Sequence, residues 1–264
     1  MSDDWRSYDD VAVSYERVHA PRFAEPARAL VQLAGVNAGG RVLDVGTGTG
    51  VVAEAAARAG ATVIGVDSSL GMLALARVAR PGLRLVAAQA IDLPFGPGVF
   101  DVVLAGFVLA HFTRPETALH DLLRVAAPGG TLAVSTWADG RDAFTEAWLE
   151  LVHGVVPKEL LEPSLAKAIP HHDRFRRADK LGEVLRAAGL RRIRVERATY
   201  EWNYTQADYI DGLRSWATGR FVRSMIGEDG WHALRQRAAA TFADRFPDPM
   251  HDRRTVLLAS GTKE

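Results

Sequence analysis

Residues 42–50 read VLDVGTGTG, with glycine at 46, 48 and 50. Glycine loses more conformational freedom on folding than any other residue, so three in five positions imply a backbone that side chains would forbid. An apolar run enters this loop, and the alanine-rich VVAEAAARAG of residues 51–60 leaves it. That is a strand, a tight turn and a helix start. Such a turn brings free N–H groups of a helix N-terminus against whatever ligand the glycines admit, which is a nucleotide-binding arrangement.

The spacing narrows the ligand. A dinucleotide loop reads G-x-G-x-x-G, whereas this one reads G-x-G-x-G and carries Val51 where the third glycine belongs. A phosphate-binding P-loop is excluded because no Gly-Lys-Ser/Thr follows. Asp67 ends the next strand, 21 residues after Gly46, where an acid can hold a ribose.

Strand and helix patterns alternate onward. Strands are expected at 41–46, 62–67, 83–88, 100–110 and 131–137, with helices at 51–60, 69–80 and 113–130 between them. Ser69 opens the second helix, and Thr113 with Glu116 fits a capping box for the third. Strands separated by helices imply a parallel sheet covered on both faces. Further on, 141–168 and 206–245 read as helices, 180–190 as a helix, 191–202 as a strand and 254–261 as a last strand.

Composition removes several functions. No cysteine is present, which excludes disulfides, thiolate metal sites and cysteine nucleophiles. Lys plus Arg equals Asp plus Glu at 32 each, so the basic excess of a nucleic-acid binder is missing. The basic stretches at 174–180 and 191–197 read as solvated faces. The acidic MSDDWRSYDD opening has no apolar core, so no signal peptide is expected, and no apolar run reaches the ~18 residues of a membrane span. A cytoplasmic protein that engages neither membrane nor nucleic acid is expected.

VLDVGTGTG resembles the first motif of class I S-adenosylmethionine-dependent methyltransferases. GVDSSLGML (65–73) resembles the acidic second motif, and DLPF (92–95) with FDVVLAGFVLAHF (100–112) the next two segments. LLRVAAPGGTLAVSTW (122–137), AAGLRRIRV (187–195) and TVLLASGTK (255–263) are similar to the later helix, turn and strands. The likeness is strong over 36–137, moderate over the remaining sheet strands and slight in the two helical stretches. It implies an α/β, Rossmann-like, doubly wound seven-stranded sheet, mostly parallel with the last strand antiparallel, with helical cap insertions. As one domain, it divides into an N-terminal helical lid (1–36), a cofactor-binding core (37–137), cap insertions (138–180 and 203–250) and remaining sheet strands (181–202 and 251–264).

The resemblance assigns S-adenosylmethionine as cofactor. Gly46, Gly48 and Gly50, with Thr47, would pass under its methionine and ribose, Asp44 would reach its ammonium, and Asp67 beside Ser68 would take the ribose hydroxyls. Met72 would pack on the adenine, the Ala90 N–H would complete its edge, and Gly106 would lie beside the cofactor. One position departs: the family's Asp before the LPF is here Gln89, whose carbonyl can still accept from the adenine amino group. Tyr8 and Tyr15 belong to an N-terminal segment that in family members closes over the cofactor. The plainer reading packs them on the core, and it is favoured for Tyr15.

A sulfonium methyl needs only an aligned nucleophile, and positioning alone can supply ~7–11 kcal/mol, so the catalytic signature is thin. No Pro-Pro-aromatic motif of amine-modifying DNA enzymes is present, and no acidic metal set of the catechol type. Small-molecule acceptors remain, with the quinone-biosynthesis and natural-product branches closest in pattern. His111 is the candidate base, set against the simpler role of fixing its loop. Phe107, Trp137, His171 and Tyr204 are candidate acceptor-binding residues, with Trp202, Tyr209 and Trp216 as further aromatics; an aromatic stripe is more often core. His171-His172-Asp173 lacks a third metal ligand at a set spacing, so no metal site is expected. The expected function is methyl transfer to O, N or C of a small, apolar or aromatic metabolite. The alternatives are a cofactor-binding sensor or an enzyme of another reaction class, and, behind both, a nicotinamide oxidoreductase, which Val51 argues against.

Overall fold

The computed structural model describes residues 8–140 and 142–264. Seven strands form one sheet: β1 (Arg41–Val45), β2 (Thr62–Asp67), β3 (Arg84–Ala87), β4 (Phe100–Gly106), β5 (Ala126–Trp137), β6 (Leu190–Tyr204) and β7 (Met250–Lys263). Their spatial order is β3-β2-β1-β4-β5-β7-β6. Strand β7 runs antiparallel to both neighbours and the other six run in one direction, as expected.

Side-chain alternation along the strands builds two cores. Val42, Val63, Val102, Leu104, Val256 and Leu258 face one side of the sheet, beneath α2 (Ala20–Leu33) and α3 (Val51–Arg58). Leu43, Val45, Val103, Leu132 and Leu257 face the other, beneath α5 (Pro115–Val125) and α8 (Ala178–Ala187). Helix α1 (Ala12–Val18) precedes α2 and packs on α4 (Leu70–Ala79). A third core lies outside the sheet. Helices α6 (Ala143–His153), α7 (Lys158–Ala168), α9 (Gln206–Gly212) and α10 (Ala217–Arg245) gather there around Trp148, Phe242 and Trp231. Both cap stretches therefore fold against each other into one body. No helix among the described residues is long and apolar enough to cross a membrane.

Several boundaries differ from expectation, each for a local reason. Strand β4 stops at Gly106 rather than 110, because Phe107 takes φ 56° and the chain enters a 3-10 turn at Leu109–His111. The expected capping box is not formed: α5 starts at Pro115 with Arg114 as its uncapped N-cap residue. Proline favours the first helical position and drives the residue before it out of the helical region, so Thr113 falls too early. Glu116 instead pairs with Arg174. Ser69 does cap α4, accepting from the Met72 amide at 3.1 Å. The stretches expected to be helical at 141–168 and 206–245 each hold two helices, α6 with α7 and α9 with α10, and α10 is broken again at Gly227 (φ 70°).

Candidate functional site

The loop after β1 uses its three glycines for three different reasons. All are left-handed, with φ of 72° at Gly46, 55° at Gly48 and 95° at Gly50. A Cβ on Gly46 would lie 2.5 Å from Cγ2 of Val108, and one on Gly50 would lie 2.7 Å from Cδ1 of Leu83. These two glycines allow tight packing under the loop. Gly48 meets no atom within 4 Å of the same position, so it is the open face of the loop.

Two acids flank that face. Asp67 Oδ2 accepts the Gly48 amide at 2.8 Å and Oδ1 accepts the Ser69 amide at 2.9 Å. Burial nevertheless outweighs these amides and raises its pKa. Asp44 is 1% exposed, and its Oδ2 accepts from Thr47 Oγ1 at 2.7 Å. Its Oδ1 is buried and meets no donor in hydrogen-bond geometry. Burial pushes the Asp44 carboxyl up to about 7, against the easing effect of Thr47 and the Ala53 amide. A buried carboxylate with one oxygen unpartnered under a glycine loop favours a nearby cation.

A cavity of about 230 Å³ opens at the carboxyl ends of β1, β2 and β4, walled by Gly46, Gly48, Asp67, Ser68, Met72, Ala90 and Gly106. Beneath the cap lies a second cavity of about 830 Å³, which reaches Trp137, His171 and Trp216. Tyr8, Tyr15, Phe107 and His111 wall both cavities. The left-handed kink at Phe107 takes the chain out of the sheet at this junction. Its ring packs 4.8 Å from both Phe23 and Trp137. Tyr8 stands edge-on to His111 at 6.1 Å, and the Arg220 guanidinium lies 4.0 Å from the centre of the Tyr8 ring. Burial, with Arg220 and His172 adding to it, lowers the His111 pKa to about 4, against a small opposing effect of the Ala168 backbone. The imidazole is therefore neutral at pH 7, with one ring nitrogen an acceptor.

A methyltransferase domain model matches residues 43–134. A demethylmenaquinone methyltransferase of Beutenbergia cavernae is 37% identical over 213 residues, covering 80% of this chain and 73% of that one. Its counterpart in Renibacterium salmoninarum is 34% identical over 166 residues, covering 60% of this chain and 70% of the relative. The chain belongs to the class I S-adenosylmethionine-dependent methyltransferases. The fold agrees: Haemonchus contortus phosphoethanolamine N-methyltransferase 2, solved with phosphomonomethylethanolamine and S-adenosylhomocysteine, superposes with a TM-score of 0.60 at 18% identity, over 97% of this chain and 57% of that one. The protein is thus an enzyme that methylates a small molecule with S-adenosylmethionine as cofactor.

Not every residue singled out in this methyltransferase's sequence reaches a cavity wall. Asp44 lies beneath the glycine loop and accepts from Thr47, and Thr47 and Gly50, though in the loop, are off both cavity walls. Gln89 is exposed, although its neighbours Ala88 and Ala90 face the cavity. Tyr204 packs in the cap core 5.9 Å from Tyr209, under the Arg22 guanidinium and off both walls. Conversely, Tyr15, favoured above as mere packing, lines both cavities, and Trp216 lines the larger one. His19, Arg22, Phe23 and Arg254 wall the larger cavity without having been singled out. No sequence signal marks them, because helix α2 and strand β7 meet only in the folded chain.

Proposed function

We propose that this methyltransferase holds its cofactor in the smaller cavity and a small apolar or aromatic acceptor in the larger one, with the methyl group passing between Tyr8, Tyr15, Phe107 and His111. The shared wall of these four residues carries the reading. These four aromatic side chains are the residues that border both cavities among the described residues. The quinone named in the demethylmenaquinone relatives points the same way, since a quinone ring is a flat, apolar acceptor.

The chain's residues fit the cofactor. Asp44 Oδ1 lacks a donor and suits an ammonium, directly or through water. Asp67 keeps lone pairs beyond its two amide bonds and suits a ribose diol, since a carboxylate offers about four acceptor positions. Met72 and Ala90 line the smaller cavity, which supports the packing and edge contact proposed for the adenine. When bound, S-adenosylmethionine supplies an electrophilic methyl group on a sulfonium sulfur. The protein's part is to align the acceptor, exclude water by means of the lid and cap, and take up a proton where the acceptor releases one. His111, neutral and at the junction, is the residue placed to do the last. The proposal includes a cytoplasmic location and an acceptor that is not a nucleic acid; zero formal net charge supports the latter.

The test pairs calorimetric binding of S-adenosylhomocysteine with mass-spectrometric detection of methyl transfer from labelled cofactor to a panel of reduced quinones and phenols. Expected are cofactor binding and labelled ring product, with Trp137→Ala, at a residue lining the larger cavity but not the smaller, raising the acceptor KM but leaving cofactor affinity intact. Transfer to none of the aromatic acceptors, with product formed from polar aliphatic amines instead, would refute this assignment.

A further inference from the structure

The larger cavity is not uniformly apolar. At its Trp137 end two guanidiniums, Arg22 and Arg254, form part of the wall. Arg22 is 5% exposed, and its Nη2 donates to Asp252 Oδ2 at 2.9 Å in an ion pair whose acid is fully enclosed. Asp252 is the one acceptor that this guanidinium meets among the described residues, and its Nε–H is buried without any. Asp252 does not need Arg22, because Arg254 Nε already reaches its two carboxylate oxygens at 3.1 and 3.3 Å. Arg254 also holds Asp142 and Thr145.

A purely structural role explains this poorly. Burying a charge is expensive, and a buried ion pair is often replaced by well-packed apolar residues at no loss of stability. Here Arg22 and Arg254 share Asp252, Arg254 pairs with Asp142 as well, and the Arg22 Nε is left without an acceptor. Tyr204, Trp202 and Trp137 lie 4.9, 5.3 and 5.8 Å from the Arg22 Cζ, and Trp137 lies 5.7 Å from that of Arg254. These rings lie within cation–π range of the guanidinium, while its hydrogen-bonding positions beyond Asp252 stay unused among the described residues. An edge of a guanidinium is a planar fork, and its matching partner is a planar oxyanion. His19 reports the same field: burial first, and then Arg22, Arg254 and Arg220, lower its pKa to about 3.

We propose that the acceptor carries a carboxylate, received edge-on by Arg22 with Arg254 beside it, while its apolar ring extends towards Phe107 and His111. The substrate class then narrows to aromatic or apolar acceptors that carry a carboxylate beside the ring that is methylated. This rests on the reading of the larger cavity as the acceptor site. The arginines hold the carboxylate; the atom that is methylated lies at the other end, beside the junction.

The test is calorimetry on the full chain saturated with S-adenosylhomocysteine, with 2-naphthoate and 2-naphthamide as probes that differ in charge but not in shape. Wild type is expected to bind the acid at least ~10-fold more tightly than the amide, the scale of a charge-assisted hydrogen bond. Arg22→Met keeps the packing volume, removes the fork and is expected to abolish the preference without moving cofactor affinity. Should that variant fail to fold because Asp252 loses a partner, Arg22→Lys retains the charge, gives up the planar edge and is expected to lower the preference several-fold. Equal binding of acid and amide by wild type, or a preference that survives in the folded variants, overturns the carboxylate while leaving the acceptor site in place. Failure of both probes to bind removes the acceptor-site reading and this proposal with it.

Discussion

The amide of Gly48 donates to Oδ2 of Asp67 across 2.8 Å, so the glycine loop and the end of β2 are one hydrogen-bonded unit. The same carboxylate is the acceptor proposed for a ribose. Removing it should therefore cost affinity twice, through the lost ligand contact and through the released loop. Hydrogen bonds to charged groups contribute ~1.5–3 kcal/mol each, so Asp67→Ala is expected to weaken S-adenosylhomocysteine binding by about 100-fold or more. Asp67→Asn should rescue little. Its NH₂ group must face either the Gly48 or the Ser69 amide, and both are donors. Isothermal titration of the two variants checks this, and a near-wild-type affinity for the asparagine form would contradict it.

Gly46 and Gly48 differ by what surrounds them, so alanine should separate stability from binding. At Gly46 the added methyl meets Val108 at 2.5 Å on a left-handed backbone. The left-handed conformation costs ~1–2 kcal/mol and overpacking ~1–3 kcal/mol, so Gly46→Ala should lose about 2–5 kcal/mol of stability. At Gly48 the methyl meets nothing, so only the backbone cost applies to folding. That methyl occupies the cavity side of the loop, however, and should displace the cofactor. Thermal unfolding and cofactor titration together give the pattern: Gly46→Ala melts much earlier, while Gly48→Ala stays folded and binds poorly.

What the sequence makes legible follows from where each signal is local. The alternation of β1, α3, β2 and α4 is written in short periodic stretches with glycine and serine punctuation, and those elements lie within a residue or two of expectation. The run from 100 to 110 is apolar throughout, and periodicity cannot separate a buried strand from a buried turn. The end of β4 is set by the left-handed Phe107, which nothing nearby announces. Pro115 was visible and decides the start of α5 against the capping box. The cap and the larger cavity were legible only as composition. Their wall is made by contacts such as Arg22 with Asp252, 230 residues apart, and pairing at that separation leaves no local pattern.

Asp44 predicts a proton linked to cofactor binding. Its carboxyl is raised to about 7, chiefly by burial. The folded chain therefore binds more protons at this site than the unfolded chain does between the ordinary carboxylate range and about 7, so its contribution to stability falls as pH rises through that window. Asp44→Asn should accordingly raise the melting temperature of the free protein at pH 8 and change it little at pH 4. An arriving ammonium needs the ionised form. Affinity of the wild type for S-adenosylhomocysteine should thus rise by up to ~10-fold per pH unit below about 7 and level off above it. In the asparagine variant this dependence should be missing. Titrations at pH 5.5, 6.5, 7.5 and 8.5 decide the matter, and a slope that persists unchanged in the variant would assign the proton to another group.

His111 gives the last prediction. Its pKa of about 4 keeps the ring neutral across the working range. If it receives the acceptor's proton, His111→Asn should lower kcat by ~10²–10⁴-fold, well beyond any loss of cofactor affinity from its place on the shared wall. The pH profile distinguishes this from a packing role. With an ordinary histidine, activity would fall through pH 6.5; here the limb due to His111 should lie near pH 4, so the rate is level from pH 5 upward as far as this group is concerned. Stability follows with the opposite sign to Asp44. A histidine depressed in the folded state leaves the unfolded chain binding the extra proton between about 4 and 6.5, so its contribution is fully present above 6.5 and is lost as pH falls through that window. His111→Asn should flatten this acid-side loss of melting temperature. A variant that keeps wild-type kcat but still flattens the melting curve would make His111 a support for the Tyr8 edge contact and not a base.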